Sequence, residues 1–370
     1  MARPRRVGIL TSGGDCPGIN AVIRAVTKCC LGEGMDVVGI RDGFLGLLER
    51  SVMPLTDEDV AGILAQGGTI LGTTNRANPF RLAVEEGGQT VWRDVSDQVI
   101  ENYFSLGLDA LVCVGGDGSM AIAAGFLDRG LNIVGVPKTI DNDLQQTDLT
   151  FGFDSAVANA ADAIDKIQTT AASHHRVMVV ETMGRYAGWL ALTAGLASGG
   201  DIILIPEIPF DPGALCEAAT ATSRRGKRFS IVVVAEGAYP RGGEQVVARR
   251  VKGSPEPVRL GGIGGKVGQL IEENTDREAR VAVLGHLQRG GSPTAYDRVL
   301  ATRFGVAATD LIRAGSFGQM VCLQGANISS VPIASVVGEP RKVPYDHPLV
   351  SAAHRLGVSF GEPGGGPARR

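Results

Sequence analysis

Val7-Gly8-Ile9-Leu10-Thr11-Ser12-Gly13-Gly14-Asp15-Cys16-Pro17-Gly18-Ile19 runs from an apolar stretch through a glycine turn into a helical pattern that continues over 19–31. An apolar run without polar alternation predicts a strand buried on both faces, and a strand entering a helix through a tight turn is the opening of a βα unit. Working outward, similar runs recur at 110–114, 133–136, 177–180, 202–205, 231–234 and 281–284. Helix-like stretches at 156–170, 189–197 and 295–312 lie between most of them. This alternation predicts an α/β fold with mostly parallel sheets covered on both faces. Residues 239–265, rich in Arg, Gly and Pro, read as an elaborated surface loop, and 361–370 as a flexible tail.

A chain of 370 residues that is 44% hydrophobic and 20% charged has room for one large or two medium domains. Its 52 glycines are about twice the usual ~7%, and they gather where the apolar runs end. Those are the ends at which open parallel sheets bind ligands. A net charge of -3 and a pI near 6.0 lack the basic excess of a nucleic-acid binder. An anionic ligand would therefore need a local cluster of Arg and Lys. The six cysteines show no CxxC spacing, which predicts reduced thiols and a cytoplasmic location. No stretch approaches the roughly 18–20 apolar residues of a membrane span, so no membrane partner is expected.

Three turns carry residues suited to chemistry. Residues 11–18 can bring backbone amides close to an anion at a helix N-terminus, or be no more than a tight turn. Gly115-Gly116-Asp117-Gly118-Ser119 repeats that context, with one carboxylate where a divalent cation could bridge to phosphates. Lys138-Thr139-Ile140-Asp141-Asn142-Asp143 follows the third run. In an extended stretch residues two apart face one side, so Asp141 and Asp143 could share a cleft, one accepting a proton and one holding magnesium. An Asx-rich turn is the alternative. An EF-hand loop is excluded, because counting from Asp141 places Gln146 sixth and Gly152 twelfth. Arg76, Arg176, Arg185, Arg280 and Arg289 stand near glycines, where planar guanidinium groups suit phosphate oxygens. His174 and His175 receive no catalytic role.

Taken together, the stretches 13–24, 67–72, 115–119, 137–143, 152–155, 180–188, 205–207, 235–237 and 284–303 resemble the phosphofructokinase family in content and order. The resemblance implies two similar Rossmann-like three-layer α/β domains facing across a cleft. One comprises 1–150 plus about 290–340 and binds the donor; the other comprises 151–289 plus a C-terminal segment and binds the sugar phosphate. It implies ATP-dependent phosphorylation of fructose 6-phosphate at its 1-hydroxyl with Mg2+, and a homotetramer or homodimer with shared active sites.

By the same resemblance Gly13, Phe44, Arg76, Gly116, Asp117, Gly118, Ser119 and Lys138 line the donor site. Asp117 and Asp143 hold magnesium, Asp141 is the general base, and Thr139 lies beside it. Met183, Gly184, Arg185, Glu236, His286 and Arg289 contact the sugar phosphate, Arg185 also faces the transferring group, and Arg176 and Arg280 come from a neighbouring subunit. Gly118 matches ATP users, whereas Lys138 is typical of pyrophosphate users; the lysine is expected to tune rather than exclude, through a stem flexible enough to move aside. Pyrophosphate-dependent transfer is thus the alternative. Arg24, Lys28, Arg225 and Lys227 match cationic positions of the bacterial effector site, with Gln168 in place of an arginine. A dinucleotide-binding oxidoreductase fits poorly, since counting from Gly14 puts Cys16 and Ile19 where Gly-x-Gly-x-x-Gly needs glycines.

Overall fold

The computed structural model describes residues 4–224, 227–251 and 257–364. Two sheets carry the architecture. The first has seven strands in the order Asn327–Pro332, Gln319–Gln324, Ile133–Pro137, Ala110–Gly115, Arg6–Thr11, Asp36–Ile40, Val52–Leu55. Its five inner strands are parallel and the two outermost pair antiparallel. The second has four strands, all parallel, in the order Ala279–Val283, Val177–Thr182, Ser230–Ala235, Ile202–Leu204.

The period of two along each strand sorts side chains onto two faces. In the first sheet Val7, Ile9, Val112 and Val114 pack with Val22, Val26 and Phe304 of the helices Ile19–Gly32 and Ala295–Arg313. Leu10, Leu111 and Cys113 face the other way, into a cluster with Met120, Phe126 and Tyr103. The second sheet repeats the scheme: Ile231 and Val233 join the first cluster, while Val232 and Val234 pack with Ile263, Val267 and Ile271. One apolar cluster therefore runs from Val7 to Phe360 through both α/β units, and burial rather than a linker joins them.

The apolar runs all become strands, but 281–284 is not buried on both faces. The strand Ala279–Val283 is the edge of its sheet, with Val281 42% and Val283 60% exposed. An edge strand is paired along one side only, so its outer flank stays open to solvent even though Val281 touches Gly264 and Gly268 of the helix behind it. Residues 239–265 are not simply a loop either: Val247–Arg250 pairs antiparallel with Val258–Leu260, and the helix Ile263–Asn274 begins at their end. At the start of the expected tail, Gly361 donates to Ser359 Oγ and its carbonyl accepts from Asp211, while residues 365–370 lie outside the described ones. All six cysteines are free thiols, and no described helix is long and apolar enough to cross a membrane.

Candidate active site

The C-terminal ends of both sheets converge, and the turns leaving them build one cleft. Ser12 N–H donates to the Val114 carbonyl at 2.9 Å, which lays the first glycine turn against the second. Gly13 takes φ +84, a region open to glycine, and the side it leaves bare faces Lys138 Nζ and Ser119 Oγ. Gly13 N–H donates to the Thr74 carbonyl and Thr73 Oγ1 to the Gly13 carbonyl, so the exposed Arg76 follows directly on a segment laced to this turn. Asp117 opens the helix Asp117–Leu127, with Gly118 exposed and Ser119 buried behind it. The amides of a helix's first turn lack intrahelical partners and carry partial positive charge.

The segment 138–143 supplies the carboxylates. Asp141 and Asp143 are 5% and 4% exposed. Thr139 Oγ1 accepts from Asp141 N–H at 3.0 Å and donates to Asp143 Oδ1 at 3.3 Å. Burial pushes the Asp141 carboxyl above its ordinary value; Arg289 and Arg185 pull it back and Asp117 adds to the rise. Burial likewise raises Asp143 to about 7, helped by Asp141 and Asp117. Asp141 Oδ1 is buried without a hydrogen-bond partner. Between the two, Asn142 holds φ 52, a left-handed conformation uncommon outside glycine.

From the second unit come Met183, Gly184 and Arg185, just past the strand Val177–Thr182, and Glu236, just past Ser230–Ala235. Glu236 Oε1 accepts the Arg185 N–H at 3.0 Å, and burial raises its carboxyl to about 7, with Asp141 contributing. Arg185 also sits at positive φ, 52, and a side chain at Gly237 would lie 2.0 Å from its carbonyl. Strain of this sort persists only where surroundings over-determine it. The Arg185 guanidinium reaches Asp117 at 3.3 Å and so ties the units together across the cleft. Arg289 donates to the Asp15 carbonyl at 2.9 Å.

The remaining expected residues fall in several places. Phe44 does not line a ligand site: it is 0% exposed and stacks on Phe126 at 5.7 Å between ring centroids, because its helix Phe44–Glu49 turns that ring into the core. Lys138 has no mobile stem. It is 4% exposed, its ammonium donates to the Gly14 carbonyl, and burial lowers its pKa, so it forms part of the first turn's wall. His286 is exposed, next to Leu287 in a groove with Asn159. Arg176 and Arg280 sit at the N-terminal end of the second sheet, in ion pairs with Glu278, and Arg280 also with Glu272. Lys227 pairs with Asp201 at 2.6 Å and Gln168 donates to the Ser198 carbonyl, while Arg225 lies outside the described residues.

Two contributors were not expected. Glu207 accepts from Gly188 N–H and Val343 N–H, and Arg341 donates to the carbonyl of Asn142. Glu207 lies in the matching stretch 205–207 without a role given to it, and Arg341 has no local signal, because its partner Asn142 is 199 residues away.

The sequence profile described as phosphofructokinase matches residues 6–312. The chain is 47% identical over 366 residues to "ATP-dependent 6-phosphofructokinase 2" of Clostridium perfringens (strain 13 / Type A), covering 98% of this chain and 100% of that one. It is 50% identical over 342 residues to "Pyrophosphate--fructose 6-phosphate 1-phosphotransferase" of Amycolatopsis methanolica, covering 92% and 96%. Its structure is similar to the Pichia pastoris phosphofructokinase in the T-state, with TM-score 0.78 and 33% identity over 91% of this chain; it spans 36% of that longer chain.

Proposed function

The chain belongs to the phosphofructokinase family, and from that premise we propose that it transfers the terminal phosphoryl group of ATP to the 1-hydroxyl of fructose 6-phosphate, in glycolysis and in the cytoplasm. The observation that carries the proposal is the meeting of Asp141 and Asp143 from one unit with Arg185 and Glu236 from the other. Phosphoryl transfer asks mainly for positioning and charge neutralisation. This cleft offers both.

The donor phosphates lie over Gly13 and the helix start at Gly116 to Ser119, near Arg76. The sugar phosphate lies by Met183, Gly184, Glu236, His286 and Arg289. Asp141 accepts the hydroxyl proton: burial makes it a stronger base, while Arg289, Arg185 and Lys138 keep the charged form accessible. Thr139 fixes the backbone of Asp141 through its N–H. Arg185, already beside Asp117, faces the transferring group.

Hard carboxylate oxygens and the unpartnered Asp141 Oδ1 suit a hard divalent cation. No described group of three or more His, Cys, Asp or Glu is arranged to hold a metal unaided. Asp117 and Asp143 would hold Mg2+ together with phosphate oxygens, and it would neutralise charge on the donor.

Arg176 and Arg280 cannot serve the cleft of their own chain, and a homotetramer or homodimer that shares sites gives them a use. Pyrophosphate-dependent transfer is the second reading, favoured by Lys138 standing in the wall of the donor turn. Initial rates with fructose 6-phosphate and Mg2+, run with ATP and with pyrophosphate at matched low concentration, test both. Higher kcat/KM with ATP is expected; faster turnover with pyrophosphate reverses the donor, and no turnover with either ends the proposal.

A further inference from the structure

Asn142 occupies a conformation it must be held in, and its captor lies 199 residues further along the chain. On one side the Asn142 side-chain oxygen accepts the Thr150 N–H at 3.1 Å. On the other the Arg341 guanidinium donates to the Asn142 carbonyl, from Nη2 at 2.9 Å and Nε at 3.3 Å. The same Nη2 reaches the Asp148 carbonyl at 3.0 Å, and Arg341 N–H donates to the Asp143 carbonyl at 2.7 Å. Two of the three accepting carbonyls belong to the turn that carries Asp141 and Asp143, and the third, of Asp148, to the loop that continues from it.

Arg341 is anchored to the second unit as well. Its guanidinium lies 4.7 Å over the Trp189 ring, and Trp189 Nε1–H donates to the Arg341 carbonyl at 3.0 Å. Trp189 begins the helix that follows the loop bearing Arg185. One side chain thus spans the back of the cleft, from the carboxylate turn to the element behind Arg185. The chain around it is docked by other contacts: Val343 N–H donates to Glu207 at 2.8 Å and His347 packs edge-on against Trp189 at 5.0 Å. Removing the guanidinium alone leaves that docking in place.

We propose that Arg341 is a positioning residue of the phosphoryl transfer, holding Asn142 in the left-handed turn that aims Asp141 and keying that turn to the loop of Arg185. The inference rests on Asp141 being the base. Without the guanidinium, Asn142 relaxes toward commoner backbone angles, and a base displaced by about 1 Å costs roughly 10²-fold in rate.

The test compares Arg341→Met, Arg341→Lys, Asp141→Asn and the double variant Asp141→Asn/Arg341→Met by steady-state kinetics and thermal melting. Arg341→Met keeps an apolar stem beside Trp189 and loses the guanidinium with every side-chain donor. Its kcat should fall about 10²-fold while KM for both substrates stays within about threefold, and Arg341→Lys should recover part of kcat. The double variant should lose clearly less than the product of the two single losses, since the part of Arg341's effect that aims the base has nothing left to aim. A kcat within about threefold of the parent in Arg341→Met beside an inactive Asp141→Asn overturns the inference and leaves the base intact. Additive losses in the double variant overturn it too, as does a kcat loss matched by loss of folded protein. An active Asp141→Asn overturns the reading of the base, and the inference with it.

Discussion

The two ends of the second sheet hold the same residue types to opposite effect. At the C-terminal end Glu236 is buried and raised to about 7, and Arg185 is bound at its backbone by Glu236 and at its guanidinium by Asp117. At the N-terminal end Arg176 and Arg280 keep 28% and 50% of their side chains exposed and pair with Glu278, whose pKa is lowered by the Arg176 hydrogen bond. The strand Val177–Thr182 between the ends has six residues, which at ~3.3 Å each separates them by roughly 20 Å. The C-terminal end of this sheet thus carries buried, shifted groups, and the N-terminal end carries exposed charges that pair among themselves, away from the cleft. Buried groups are held and shifted; exposed pairs are held weakly, exposed ion pairs being worth about 0–1 kcal/mol.

The comparison is sharpest at the base. Asp141→Asn keeps the shape of a buried carboxylate that has no partner on Oδ1, so the fold should survive while kcat drops about 10²–10⁴-fold. A loss under about fivefold would remove Asp141 from that role. Next in size is the donor side. Gly118 is exposed where Lys138 is enclosed, and Gly118→Asp places a carboxylate by the donor phosphates. At about 4 Å and an effective dielectric near 20 the repulsion is roughly 4 kcal/mol, close to a thousandfold in ATP affinity. Competition binding measured on the parent and the variant reads it directly.

At the opposite end Arg176→Ala should weaken fructose 6-phosphate by about 10–100-fold, the worth of one charge-assisted hydrogen bond. Mixing Arg176→Ala with Asp141→Asn subunits should restore activity. No recovery in hybrids shown to have formed would mean that each chain completes its own site, and the contrast between the ends would lose its functional meaning.

A further consequence concerns pH. The Glu236 carboxyl rises from 4.5 to about 7 on folding, so between those values the native state keeps a proton that the unfolded chain has lost. Stability from this group is unaffected below 4.5, falls as pH rises through the window, and carries its full penalty above about 7. Glu236→Gln should flatten the decline in unfolding free energy between pH 5 and 8 by an amount on the order of 2 kcal/mol. Asp143 and Asp297, raised to about 7 and about 6, keep the remaining slope. An unchanged profile would mean that Glu236 is solvated in the free enzyme. The smallest effect is expected at the effector position. With Gln168 on the Ser198 carbonyl and Lys227 on Asp201, phosphoenolpyruvate should inhibit weakly, and Arg24→Ala should change that response by less than about twofold. Strong sigmoidal inhibition abolished by Arg24→Ala would contradict this.

Local pattern alone determined seven of the eleven strands of the two main sheets, their parallel pairing and the three strand-end turns, because those follow from the continuous apolar runs and glycine's backbone freedom; Asp36–Ile40, Val52–Leu55, Gln319–Gln324 and Asn327–Pro332 escaped it. It also singled out Asp117, Asp141 and Asp143, whose neighbours in sequence already mark a strand end, while Arg185 was one of five arginines beside glycines until the family resemblance gave it a role. Tertiary packing decided the rest. Whether an aromatic such as Phe44 meets a ligand or the core depends on which way a short helix faces, and whether Lys138 swings or is walled in depends on the Gly14 carbonyl 124 residues away. The exposure of Val281 and Val283 depends on what packs against an edge strand of the second sheet. Arg341 is the extreme case: its partners Asn142, Asp148 and Trp189 are all more than 150 residues distant. Only the folded chain brings a half-buried cation to backbone carbonyls that no periodicity marks.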